Sequence, residues 1–142
     1  MEIEKKFRYV KSIPKEWKII ALGNTGAISK GKGIRNEQLR VKGTPCITYG
    51  DIYTKYNISV KKLRSFIDRE TTAEAKEIKK NDVLFAGSGE TAEEIGKTIV
   101  YLGEEKAFAG GDIIILSPND EFNSEYISLF FNSELGLYQK SV

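Results

Sequence analysis

Apolar residues in this chain come in short runs separated by glycine and charge, a pattern of strands more than of long helices. Residues 17–22 (WKIIAL) follow Ile13-Pro14, where the proline keeps its predecessor out of the helical region, and they predict a first strand with Trp17 and Leu22 in the core. Gly23, Gly26, Gly31 and Gly33 then interrupt the chain, so 27–40 (AISKGKGIRNEQLR) reads as a second strand running into a mobile basic loop. A further short strand at 44–49 (TPCITY) gives way to a turn at Gly50-Asp51. Residues 68–80 (DRETTAEAKEIKK) hold helix formers with few apolar positions, which predicts a short exposed helix or helical turn, and Asn81-Asp82 is a turn. Strands follow at 82–86, 97–102 and 112–116, the last a continuous apolar run suited to a sheet centre. The periodicity then changes. Tyr126, Ile127, Phe130 and Phe131 recur at helical spacing within 124–135, with Ser124 placed to cap the helix and the aromatic stripe placed to pack on the sheet. The sum is an α+β domain built on a curled, mainly antiparallel sheet, with a few short helices and a C-terminal helix.

Composition narrows the chemistry. A length of 142 residues with 40% hydrophobic and 30% charged content is that of one globular domain. No apolar run nears the roughly 20 residues that span a bilayer. The opening Met1-Glu2-Ile3-Glu4-Lys5-Lys6 is too charged for a secretory signal, so a cytoplasmic location is expected. Cys46 is the only cysteine and histidine is absent, which excludes an internal disulfide, a Cys/His zinc site and histidine-based catalysis within this sequence. The acidic residues are scattered and read as solvated surface, so no cofactor or metal is expected. Net charge is +2, but it is unevenly spread. Lys30, Lys32, Arg35, Arg40, Lys42, Lys55, Lys61, Lys62, Arg64 and Arg69 stand against only Glu37, Asp51 and Asp68 in the same interval, a positive field compatible with an anionic partner such as nucleic acid.

One stretch, 83–98 (VLFAGSGETAEEIGKT), imitates two ligand loops. A phosphate-binding loop ending in Gly96-Lys97-Thr98 needs its first glycine at position 91, which is Thr91, and needs a helix after Thr98, where IVYL reads as strand. The segment FAGSGET also resembles the cofactor loop of S-adenosylmethionine-dependent DNA amino-methyltransferases. A parallel crossover needs about ten residues or more, however, and only 90–95 precede Gly96. The proline-rich loop that holds a target nitrogen in those enzymes has no counterpart, since Pro14, Pro45 and Pro118 are isolated. A glycine-rich connection between two strands remains, with Ser88, Glu90 and Thr91 near its tip.

Four blocks in order resemble the target recognition domains of type I restriction-modification DNA specificity (S) subunits: IPKEWKIIALGN, GTPCITYGDI, IKKNDVLFAGSGETAEEIGKTIVYL and NSEYISLFFNSELG. The resemblance covers residues 13–142 and implies a recognition domain at 13–135, preceded by an N-terminal arm at 1–12 and followed by the start of a spacer helix at 136–142. It implies a half-site reader of double-stranded DNA with no chemistry of its own. Its partners would be methyltransferase (M) and restriction (R) subunits, and a chain with one recognition domain would be either an excised domain or a half-subunit that pairs with a copy of itself. Base-reading residues vary too much in that family to be carried over, so candidates follow from chemistry. Lys30, Lys32 and Arg35 suit phosphates; Arg35 and Arg40 suit guanine; Asn36 and Gln38 suit adenine. Tyr49, Tyr53, Lys55 and Tyr56 form a second polar and aromatic cluster, and Ser88 and Thr91 offer hydroxyls at the glycine-rich connection. Two competing readings are a fragment of an S-adenosylmethionine-dependent methyltransferase and a protein–protein adaptor.

Overall fold

The computed structural model describes residues 22–87 and 96–133. Among the described residues nine strands form two sheets: β1 (Gly26–Lys30), β2 (Thr44–Ile47), β3 (Ser59–Val60), β4 (Ser65–Ile67), β5 (Lys76–Ile78), β6 (Val83–Ala86), β7 (Thr98–Tyr101), β8 (Ala107–Ala109) and β9 (Ile113–Pro118). The larger sheet runs β1-β9-β6-β7-β3 and the smaller β4-β2-β8-β5. Only β2 with β8 and β3 with β7 pair in parallel; the other pairings are antiparallel, as the pattern predicted.

The central strands β6 and β7 are buried along their whole length, so they bury apolar side chains on both faces, which is why they read as continuous apolar runs. One face of the larger sheet, with Leu84, Ile99 and Ile115, packs against Ile47, Ala107 and Ala109 of the smaller sheet to form the main core. The opposite face, with Val83, Phe85, Val100 and Leu116, receives Ile127 and Phe131 of the C-terminal helix α2 (Ser124–Phe131). Phe85 and Phe131 meet edge to face at 5.5 Å. A third cluster lies on the outer face of the smaller sheet, where Cys46, Ile67 and Phe108 are covered by Ile34 and Ala75.

Several local expectations change. The predicted turn at Gly50-Asp51 is the first turn of a helix, α1 (Tyr49–Thr54). Thr48 and Asp51 form a capping box, the Asp51 amide donating to Thr48 Oγ1 at 3.4 Å and the Thr48 amide to Asp51 Oδ2 at 3.1 Å. The segment 68–80 splits into a 3-10 turn (Thr71–Glu74) and strand β5, because edge pairing with β8 outweighs the helix preference of Lys76-Glu77. Asn123, not Ser124, caps α2 by accepting from the Tyr126 amide at 2.9 Å, while the Ser124 hydroxyl donates to Asn81 O at 2.6 Å. Residues 17–21 of the predicted first strand lie outside the described residues, and Leu22 opens a 3-10 turn (Leu22–Asn24). Strands β3, β4 and β8, two or three residues each, are too short to leave a period in the sequence.

Candidate nucleic-acid interface

The basic loop after β1 is held at both ends of its glycine run. The Gly31 amide donates to Ile113 O at 2.8 Å, the Lys32 amide to Ala109 O at 3.3 Å, and the Gly111 amide to Gly33 O at 2.9 Å. Gly33 and Ile34 both take positive φ, 70° and 58°. A β-branched residue in that region is strained, and burial holds it there: Ile34 is 8% exposed and plugs the third core cluster. The sequence suggested a loosened loop; the structure shows a hook pinned by backbone bonds and by its buried isoleucine.

That hook meets α1. Asn36 from the loop, Tyr49 and Tyr53 from the helix, and Gly111-Asp112 from the turn before β9 line one cleft of about 330 Å³. Tyr49 and Tyr53 lie on one helical face with ring centroids 6.3 Å apart, tilted at 47°, and both are half-buried. Asp112 is exposed, has a φ of 60°, and its carbonyl accepts from the Gly87 amide at 2.6 Å. Gly87, the last described residue before the glycine-rich stretch, is therefore bonded beside this cleft. The candidates Ser88 and Thr91 lie outside the described residues.

Gln38, Arg40, Lys55 and Tyr56 are tied into the scaffold. Gln38 accepts from the Arg35 amide at 2.7 Å and donates to Glu74 Oε2 at 3.0 Å, bridging the hook to the 3-10 turn before β5. Arg40 donates to the carbonyls of Glu37 and Leu39 and pairs with Asp68 at 3.7 Å. Arg35 pairs with Glu37 at 3.3 Å, both side chains being over two-thirds exposed, so that pair holds little in place. Lys55 sits 3.0 Å from Asp51, whose carboxylate also accepts from Ser65 Oγ at 2.8 Å, and this buried acid anchors α1 to β4. The Tyr56 hydroxyl accepts from the Arg64 amide at 2.8 Å, and burial pushes its phenol above the usual value. Lys30, Lys32 and Asn36 are exposed, and neither lysine pairs with a described acid.

Gly96-Lys97-Thr98 has a structural explanation. Strands β6 and β7 are antiparallel neighbours, with Phe85 opposite Thr98, so the chain between them is a hairpin connection. Both imitated ligand loops need a parallel strand–helix–strand unit, and this topology excludes them. Gly96 takes a φ of 83° to enter β7, and its amide closes on Ala86 O at 2.5 Å. Lys97 reaches Tyr56 O at 2.7 Å, and burial lowers its ammonium pKa. Thr98 exchanges bonds with the Asn132 side chain, which fastens the end of α2 to the sheet.

Burial and nearby Asp51 push the Cys46 thiol up to about 12, so it is held as a neutral core group and not as a nucleophile. Among the described residues no three Cys, Asp or Glu side chains converge as metal ligands, and no helix is long and apolar enough to cross a membrane. Sequence reasoning missed Asp112. Its signal was the Gly110-Gly111-Asp112 run before an apolar strand, a turn signature whose acid the reading passed over.

No protein-family model matches the sequence, and no curated protein matches it. Solved structures do match. A chain from a study titled "Structural basis underlying complex assembly and conformational transition of the type I R-M system" superposes with a TM-score of 0.61 at 18% identity, over 94% of this chain and 33% of that one. The HsdS subunit from Thermoanaerobacter tengcongensis superposes with a TM-score of 0.59 at 16% identity, over the same shares. The fold is therefore shared with part of an HsdS subunit, and this chain spans about a third of the length of either structure.

Proposed function

We propose that this chain is a target recognition domain that reads one half of a bipartite double-stranded DNA target for a type I restriction-modification complex. The observation that carries the reading is the cleft where the pinned hook and the two tyrosines of α1 meet, on a fold shared with an HsdS subunit. Protein groups reading base edges must be held by a rigid scaffold, and the hook is held by three backbone bonds and one buried side chain. Lys30, Lys32 and Arg35 contact phosphates and set the register, Asn36, Tyr49 and Tyr53 face the bases, and Ser88 and Thr91 offer further hydroxyls for recognition. Gln38, Arg40, Lys55 and Tyr56 support these groups from behind. The recognition domain comprises residues 13–135, with an arm at 1–12 and a spacer helix opening at 136–142. The chain carries out no reaction and binds no cofactor. It works in the cytoplasm, docks M and R subunits, and pairs with a second copy to assemble two half-sites.

Coexpression with the cognate M subunits tests this reading. Sequencing of the host genome is expected to show adenine methylation at one defined motif that depends on this chain. A methylome that is the same with and without the chain overturns the proposal. An adaptor with no nucleic-acid role would instead bind duplex DNA weakly, with no more salt dependence than a control protein of equal charge.

A further inference from the structure

The cleft at the hook is unlike the surface around it, and this difference deepens the reading proposed above, on which the following inference rests. Lys32 and Arg35 flank the cleft-lining residues along the hook, yet neither lysine nor arginine lines the cleft itself. Its polar side chains include an amide, Asn36, and a carboxylate, Asp112. A phosphate is repelled from such a spot and attracted to its rim. Guanine N7 and O6 and thymine O4 are acceptors, and a carboxylate repels them also. What a carboxylate accepts in the major groove is an amino group, cytosine N4 or adenine N6.

We infer that Asp112 is a specificity-determining residue, which admits an amino-bearing base edge to this cleft and rejects acceptor edges, with Asn36 as its partner. Two observations besides the charge support the assignment. Asp112 is exposed and no described cation pairs with it, so the fold leaves its carboxylate available. Its backbone is fixed, because its carbonyl holds Gly87 and the adjoining Gly111 amide holds Gly33, joining the hook, the turn and the hairpin at one point. A left-handed backbone at φ 60° by itself asks only for Asp, Asn or Gly. Asp112→Asn therefore keeps the turn and the shape, and replaces a pure acceptor with a group that also donates.

The test maps the methylome of cells expressing the full chain with its M subunits, comparing wild type, Asp112→Asn and Asn36→Ala, with thermal melting to verify folding. Asp112→Asn is expected to relax one motif position, from cytosine or adenine on one strand toward bases with acceptor edges. Discrimination at that position should fall roughly 5- to 150-fold while the other positions hold. Asn36→Ala is expected to weaken the same position or its neighbour, and it decides the matter if Asp112→Asn fails to fold. A wild-type motif that both folded variants leave unchanged overturns the role of the cleft and leaves the DNA-reading proposal standing. No wild-type motif overturns both.

Discussion

Arg40 and Lys32 belong to one basic segment and carry the same charge, but their surroundings differ in kind. Arg40 donates to two carbonyls, faces Asp68, and its backbone amide bonds to Phe66 O at 2.8 Å, so it closes the hook onto β4. Lys32 is fixed through its backbone alone, and its ammonium extends from the surface. Around α1, Lys55 pairs with Asp51 and the Tyr56 hydroxyl accepts from the Arg64 amide, whereas Tyr49 and Tyr53 pack on the core and also line the cleft. The partners a polar group finds in the fold, not its residue type, separate the groups that hold the fold from those that line the surface. Substitutions in the first group should lower stability and change recognition only through it; those in the second should do the reverse.

The sharpest break in the first group is Gly31→Ala. A Cβ there would stand 1.9 Å from Gly110 O, and backbone cannot step aside as a side chain does. A loss of about 3 kcal/mol is expected, at the upper end of overpacking costs, read from the urea midpoint. Asp51→Ala should come next, at about 2 kcal/mol. It removes the capping box and the acceptor for Ser65 Oγ, while Lys55, 40% exposed, regains water. A midpoint within experimental error of wild type for either variant would break the division drawn above.

Asp68 gives a smaller effect with a pH signature. The hydroxyl of Thr71 and then its amide donate to the Asp68 carboxylate, with Arg40 a lesser cause, and they hold its pKa below the usual range. A depressed carboxylate contributes stability above its unfolded value of about 3.9, and that contribution is lost as pH falls through the folded value. Wild type should therefore exceed Asp68→Ala in stability at pH 7, and the gap should narrow below about pH 4. Denaturant midpoints of both proteins at pH 7 and pH 3 check this, and a gap independent of pH would assign the effect to packing.

The division was only partly legible in the sequence, for physical reasons. Strands β6 and β7 showed as apolar runs because each is buried along its whole length, and β9 because Ile113, Ile115 and Leu116 are buried in it. The C-terminal helix showed because Ile127 and Phe131 repeat at its period. α1 was hidden because its six residues are started by a side-chain box and not by periodicity. The hook was misread for a related reason: glycines at 31 and 33 suggest mobility locally, while what fixes them is the distant segment 109–113, brought near by pairing. Asn36, Tyr49 and Tyr53 could be nominated from chemistry alone, but not that they share a cleft. Asp112 joined them only once the fold was known.

The smallest effect on stability, and the one that isolates recognition, belongs to Lys30→Ala with Lys32→Ala. Neither ammonium pairs with a described acid, so the double variant should melt with wild type. If both lysines neutralise phosphates, the slope of log binding constant against log salt should become shallower by about 0.9 for each, or about 1.8 for the pair. Affinity should fall evenly across duplexes of different sequence, because a phosphate contact carries no base information. Arg40→Ala is the matching control, expected to lower the melting point and leave the slope intact. Anisotropy titrations of labelled duplex at several salt concentrations separate the two. An unchanged slope for the lysine variant, or a shallower one for Arg40→Ala, would place the DNA on another face of the domain, because the slope counts only cations that touch the phosphates.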